Sequence, residues 1–122
     1  MDQPENVPLI DQEALDTIRA LRQDGKPDPL RRVLTTYLDS TGELLTSLSN
    51  AATAGDCETV RHCAHSAKSS SASVGALSLS EICRRLEFQA ADNLVQGLED
   101  LAGEALSEFE RTAAALRLEL DR

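Results

Sequence analysis

The sequence predicts an all-α protein, an up-and-down antiparallel four-helix bundle with a short extra helix at its N-terminus. Two observations carry this expectation. Apolar residues recur at helical spacing in four long segments, each bounded by a short break containing Gly, Asp or Pro. The apolar palette is Leu, Ala, Val and Ile, with only three aromatic residues (Tyr37, Phe88 and Phe109) in 122 positions. Strands favour β-branched and aromatic side chains, so this palette suits helices. The length is that of one domain.

Residues 1–10 hold Pro4 and Pro8 and show no periodicity. They read as an extended, flexible lead-in, with the bundle domain occupying 11–122. A first, short helix fits 11–23, with Asp11 as N-cap and Ala14, Leu15, Ile18 and Leu21 on its apolar side. The stretch Asp24-Gly25-Lys26-Pro27-Asp28-Pro29 ends it. The second helix runs from Pro29, suited to a first helical turn, to Ala54. Its stripe is Leu30, Val33, Leu34, Tyr37, Leu38, Leu44, Leu45 and Leu48. Gly42 costs it roughly 1 kcal/mol against Ala, which the neighbouring leucines outweigh. Gly55 stops this helix and Asp56 caps the next. The third helix covers 57–74 and ends at Gly75. The fourth covers 77–93, with Leu79, Ile82, Cys83, Leu86 and Ala90 on one face. After Gly97 the fifth covers 98–120. Short connections between long helices imply antiparallel neighbours.

Composition narrows the function. The chain carries 21 acidic and 12 basic residues, a formal net charge of −9. Such a surface repels nucleic acid and anionic membrane. No apolar run approaches ~18 residues, so no membrane-spanning helix is expected. The N-terminus lacks a basic stretch followed by an apolar one, which argues against a signal peptide. Cys57, Cys63 and Cys83 are odd in number and lack Cys-x-x-Cys spacing, so they read as reduced core or boundary residues of a cytoplasmic protein.

The third helix differs from the rest. It is rich in Ala and Ser, poor in Leu, and holds both histidines, His62 and His65. At about 100° per residue, Arg61, Lys68, Ser69 and Ala72 fall within about 60° of His65, with His62 at the edge. Val60, Cys63, Ala67, Ser70 and Val74 fall opposite, flanked by Ala64 and Ser71. His65 is therefore expected to project into solvent, with Lys68 and Ser69 one turn on. An exposed neutral imidazole is a nucleophile at physiological pH. Lys68 stands near enough to attract an incoming anion. Small neighbours leave room for a partner's active site to close over the ring. No general base, metal cage or nucleotide cradle accompanies it. A metal site from Cys57, His62, Cys63 and His65 is disfavoured because Cys63 faces away. The serines lack a base with an orienting partner. Ser70 and Ser71, on or beside the buried side, are expected to bond backbone carbonyls one turn back.

The run His65-Ser66-Ala67-Lys68-Ser69-Ser70-Ser71-Ala72-Ser73-Val74-Gly75-Ala76 resembles the signature of histidine-containing phosphotransfer (HPt) domains, HxLKGSSxxLGA. His65, Lys68, Ser70, Ser71, Gly75 and Ala76 match. The preceding YLDSTGELLTSLSNAATAGDCETVRHCAHS and the following LSLSEICRRLEFQA, with its Cys-x-x-Leu-Glu segment, are also similar, so residues 10–118 are covered. The resemblance implies that His65 accepts a phosphoryl group from a receiver-domain aspartate and passes it to another receiver. Lys68 would stabilise that group. The Mg²⁺ would belong to the receiver, leaving this chain without a cofactor. The expected partners are the receiver domains of a hybrid histidine kinase and of a response regulator, and the protein would be a phosphocarrier without catalytic machinery of its own. Ser69 stands where the family usually has Gly. Its hydroxyl adds bulk beside His65 and offers a hydrogen bond to the phosphate. Ala67 replaces a bulkier apolar residue.

Arg61, Arg84 and Arg85 are candidates for docking an acidic receiver face. Two other functions compete. One is an HPt-like module that binds a receiver but transfers poorly because of Ser69. The other is a histidine kinase dimerisation domain, disfavoured because Ser66 follows the histidine where an acidic residue is usual and no later Pro appears. Enough helices are present to close a bundle alone, so a monomer is expected.

Overall fold

A computed structural model describes residues 7–122, which form five helices: α1 (Gln12–Arg19), α2 (Pro29–Thr53), α3 (Cys57–Ser73), α4 (Leu77–Ala91) and α5 (Leu98–Leu120). Most of the segment expected to be a flexible lead-in lies outside the described residues. Of its remainder, Pro8 O accepts a hydrogen bond from Ser78 N at 3.0 Å, and Ile10 packs against the core. Helices α2 to α5 form a closed ring in chain order: α2 packs on α3, α3 on α4, α4 on α5 and α5 on α2. α1 leans on α2. The core is a column of leucines, with Leu15, Leu34, Leu45, Leu48, Leu79, Leu86, Leu98 and Leu116 fully buried. At about 1.5–3 kcal/mol per buried side chain, this column drives the fold.

The helix starts follow the predicted chemistry at Asp11 and Asp56, and Asp28, expected only as part of the preceding break, caps α2 in the same way. Asp11, Asp28 and Asp56 each turn a carboxylate onto the first free N–H groups of their helices, receiving from Glu13 N, Leu30 N and Thr59 N. Two helices end sooner than expected. α1 stops at Arg19, and Leu21, placed on its apolar face, is 67% exposed. A helix this short depends on tertiary contacts, and those end at Arg19. The Arg19 guanidinium meets Glu119 Oε1 at 2.7 Å, tying α1 to the end of α5. α4 stops at Ala91, and Asn93 takes a positive φ in the following turn. Val33, assigned to the α2 stripe, is exposed.

The buried face of α3 is rotated from its expected position. Ala64 and Ser71 are fully buried, whereas Cys63 and Ser70 sit at the edges. α3 is held between α2 and α4, so its inward direction points between these neighbours. Ser71 Oγ does not bond a carbonyl one turn back. It pairs with Tyr37 OH at 2.8 Å, satisfying two polar atoms inside the bundle. Burial pushes the Tyr37 phenol up to about 12, and that of Cys83 takes its thiol to about 12. Among the described residues all cysteines are free, and no helix is long and apolar enough to cross a membrane.

The turn between α3 and α4 sets their register. Gly75 has φ +78°, and its carbonyl accepts from Asp11 N at 2.7 Å. A Cβ at this position would lie 2.7 Å from Asp11 O and 3.0 Å from the Ala14 side chain. Gly75→Ala should therefore cost about 2 kcal/mol or more, from the left-handed backbone and the clash together. Urea unfolding monitored by circular dichroism checks this, and an unchanged midpoint would contradict it.

Candidate functional site

The site is built on the α3–α4 hairpin. Small residues on α3, with Ala64 and Ala67 fully buried, let α4 approach closely. Ser80 Oγ of α4 donates to Lys68 O of α3 at 3.0 Å, locking the helices together beside the site. His65 stands on the outer flank of α3, its side chain 61% exposed. Lys68 is one turn on, toward α4, and half-buried. Ser69 is exposed.

Glu87 of α4 joins them. Its Oε2 lies 2.7 Å from His65 Nδ1, and its Oε1 lies 2.7 Å from Lys68 Nζ. One carboxylate thus spends an oxygen on each partner, and its side chain is only 22% exposed. The Lys68 hydrogen bond holds the Glu87 carboxyl below its ordinary range, with His65 adding to the effect and partial burial opposing it. Glu87 is therefore ionised at neutral pH and can only accept. The hydrogen on His65 is accordingly assigned to Nδ1, which donates to Glu87. That leaves the Nε2 lone pair of the neutral ring unprotonated, on a side chain that is 61% exposed.

Sequence reasoning named His65, Lys68 and Ser69, and the structure brings His65 and Lys68 onto one carboxylate. It missed Glu87 as a member of the site. A signal existed: the residue closes the Cys83-x-x-Leu86-Glu87 segment. Folding the chain back at Gly75 also places His65, ten positions before the turn, near Glu87, twelve positions after it. Of the other candidates, His62 is exposed on the same face as His65, and Arg85 and Arg61 are half-buried. Arg84 is already committed, meeting Glu81 Oε2 at 2.5 Å and stacking 5.4 Å over the Phe88 ring. Among the described residues no three His, Cys, Asp or Glu side chains gather to hold a metal.

These features agree with the comparisons to known proteins. Residues 32–122 match the Hpt domain family model, and the chain belongs to that family. Its structure is similar to that of histidine-containing phosphotransfer protein B (HptB) from Pseudomonas aeruginosa PAO1, with a TM-score of 0.83 and 29% identity over 92% of this chain and 94% of that one. No curated protein matches by sequence. Family membership gives the protein a phosphotransfer role in two-component signalling.

The bridging carboxylate makes a specific prediction. In wild type, ¹⁵N-resolved NMR near neutral pH should show His65 protonated at Nδ1. In Glu87→Ala the population should shift to Nε2–H, with about 1 kcal/mol of stability lost. Identical tautomers in the two proteins would show that Glu87 does not orient the ring.

Proposed function

We propose that the protein is a phosphorelay intermediate: His65 accepts a phosphoryl group from a receiver-domain aspartate and hands it to a second receiver. The supporting observation is an exposed imidazole whose Nδ1 is held by Glu87, leaving Nε2 without a protein hydrogen-bond partner among the described residues. In the forward step Nε2 attacks phosphorus, the acyl-phosphate O–P bond breaks and the receiver's carboxylate leaves. Onward transfer reverses this, a second carboxylate taking the group from Nε2. Nδ1 keeps its proton throughout, and Glu87 balances the positive charge that the ring gains on phosphorylation. Lys68 offsets the charge of Glu87, so the approaching phosphoryl group does not meet a bare carboxylate.

The remaining chemistry belongs to the partner. The Mg²⁺ and the groups that position the aspartyl-phosphate would come from the receiver, with this chain acting as a phosphocarrier and not as an enzyme. The partners under this reading are the receiver of a hybrid kinase and that of a response regulator, met in the cytoplasm by a monomer. Arg61, one turn before His65 on α3, serves as a docking contact, whereas Arg85 lines a groove with Gly103 and Glu108 of α5 and stands apart from the site.

Incubation with a phosphorylated receiver tests the reading. Wild type should gain an acid-labile, alkali-stable label that disappears in His65→Gln. Tight receiver binding with no label on wild type would instead assign a binding module that does not transfer.

A further inference from the structure

Lys68 is the residue expected to hold the phosphoryl group, but its ammonium is committed to Glu87 at 2.7 Å on the α4 side of His65. On the helical wheel Lys68 lies about 60° to one side of His65, and Ser69, one turn on, lies about 40° to the other. Residues four apart on a helix face have Cβ atoms about 6 Å apart, and helical side chains lean toward the N-terminus, so Ser69 leans back toward His65. Its hydroxyl is exposed and has no hydrogen-bond partner among the described residues. The contrast with Ser73 is direct: Ser73 Oγ folds back on the Ser69 carbonyl at 3.0 Å, whereas Ser69 makes no such bond to the carbonyl of His65. Other neighbours are less suited. Ser66 points about 100° away, Ala72 has no donor, and His62 leans toward the preceding turn.

We propose that Ser69 donates its hydroxyl hydrogen to a phosphoryl oxygen on His65 Nε2 and so prolongs the life of the phosphohistidine. This rests on the relay reading above. Phosphoryl transfer passes through a loose transition state. The non-bridging oxygens then carry less negative charge than in the bound dianion. A fixed donor accordingly grips the ground state harder than the transition state and slows both hydrolysis and onward transfer. At this position the protein would trade speed for storage.

The test charges the protein with phosphoramidate, a small donor that needs no docked partner. Its P–N bond breaks, ammonia leaves with its own protons, and Nε2 bonds to phosphorus. Phosphohistidine half-life, transfer rate to a receiver and the ³¹P resonance are then compared for wild type, Ser69→Ala and Ser69→Gly. Alanine favours an exposed helical position, so the first variant should fold, which circular dichroism checks. Ser69→Ala should shorten the half-life and speed transfer about five-fold, the equivalent of one ordinary hydrogen bond, and should move the ³¹P resonance. A lifetime equal to that of wild type overturns the proposal, even if Ser69→Gly transfers faster, because bulk alone would then be responsible. Failure of His65 to take label in wild type overturns this proposal and the relay reading together. Labelling with an unaltered lifetime overturns this one only.

Discussion

The site depends on one ionised carboxylate held between two helices. Glu87 reaches from α4 to α3 and takes a hydrogen bond from His65 on one oxygen and from Lys68 on the other. Each contact constrains the others. Lys68 keeps Glu87 ionised, the ionised carboxylate holds the proton at Nδ1, and the proton at Nδ1 leaves Nε2 free. No strained backbone or buried charge is required. The trio lies at the surface, where a partner can reach it, and is anchored from below by the packing of the hairpin.

That packing explains the composition of α3. Leucines there would push α4 outward and separate His65 from Glu87. Alanines on the buried stripe bring the helices close, and the hydroxyls that come with the small-residue pattern find partners: Ser71 with Tyr37 inside the bundle, and Ser80 of α4 with the Lys68 carbonyl. Gly75 sets where the hairpin turns, and α1 presses on that turn through Asp11. At its other end α1 is tied to α5 by Arg19 and Glu119, whose carboxyl is held below its ordinary range chiefly by the Arg19 hydrogen bond. A buried carboxylate, Glu108 of α5, accepts from Ser78 at the start of α4, where Ala76 offers no side-chain cap. The short helix and these polar contacts hold in place the two helices that make the site.

Much of this could be read from the residues. Apolar periodicity located all five helices, because each buries one stripe, and Asp11, Asp56 and Gly55 marked boundaries by chemistry that acts within a few positions. What local patterns could not supply was the end of α1, which is decided by where tertiary contacts stop, and the rotation of α3, which is decided by the directions of two neighbours. Ser71 was misassigned for the same reason: its partner, Tyr37, is on another helix. Glu87 is the instructive omission. On its own helix it is an ordinary half-buried acid. Its role arises only from pairing across the hairpin, although the position of Gly75 would have allowed that pairing to be estimated.

In the proposed relay, Glu87 decides which nitrogen of His65 reacts. The most direct measurement is ³¹P–¹⁵N correlated NMR of the phosphorylated protein, which identifies the ring nitrogen bonded to phosphorus. Phosphorus on Nε2, with a proton retained on Nδ1, is the predicted result. Phosphorus on Nδ1 would mean that the Glu87 contact is broken in the working state, and the account would be wrong.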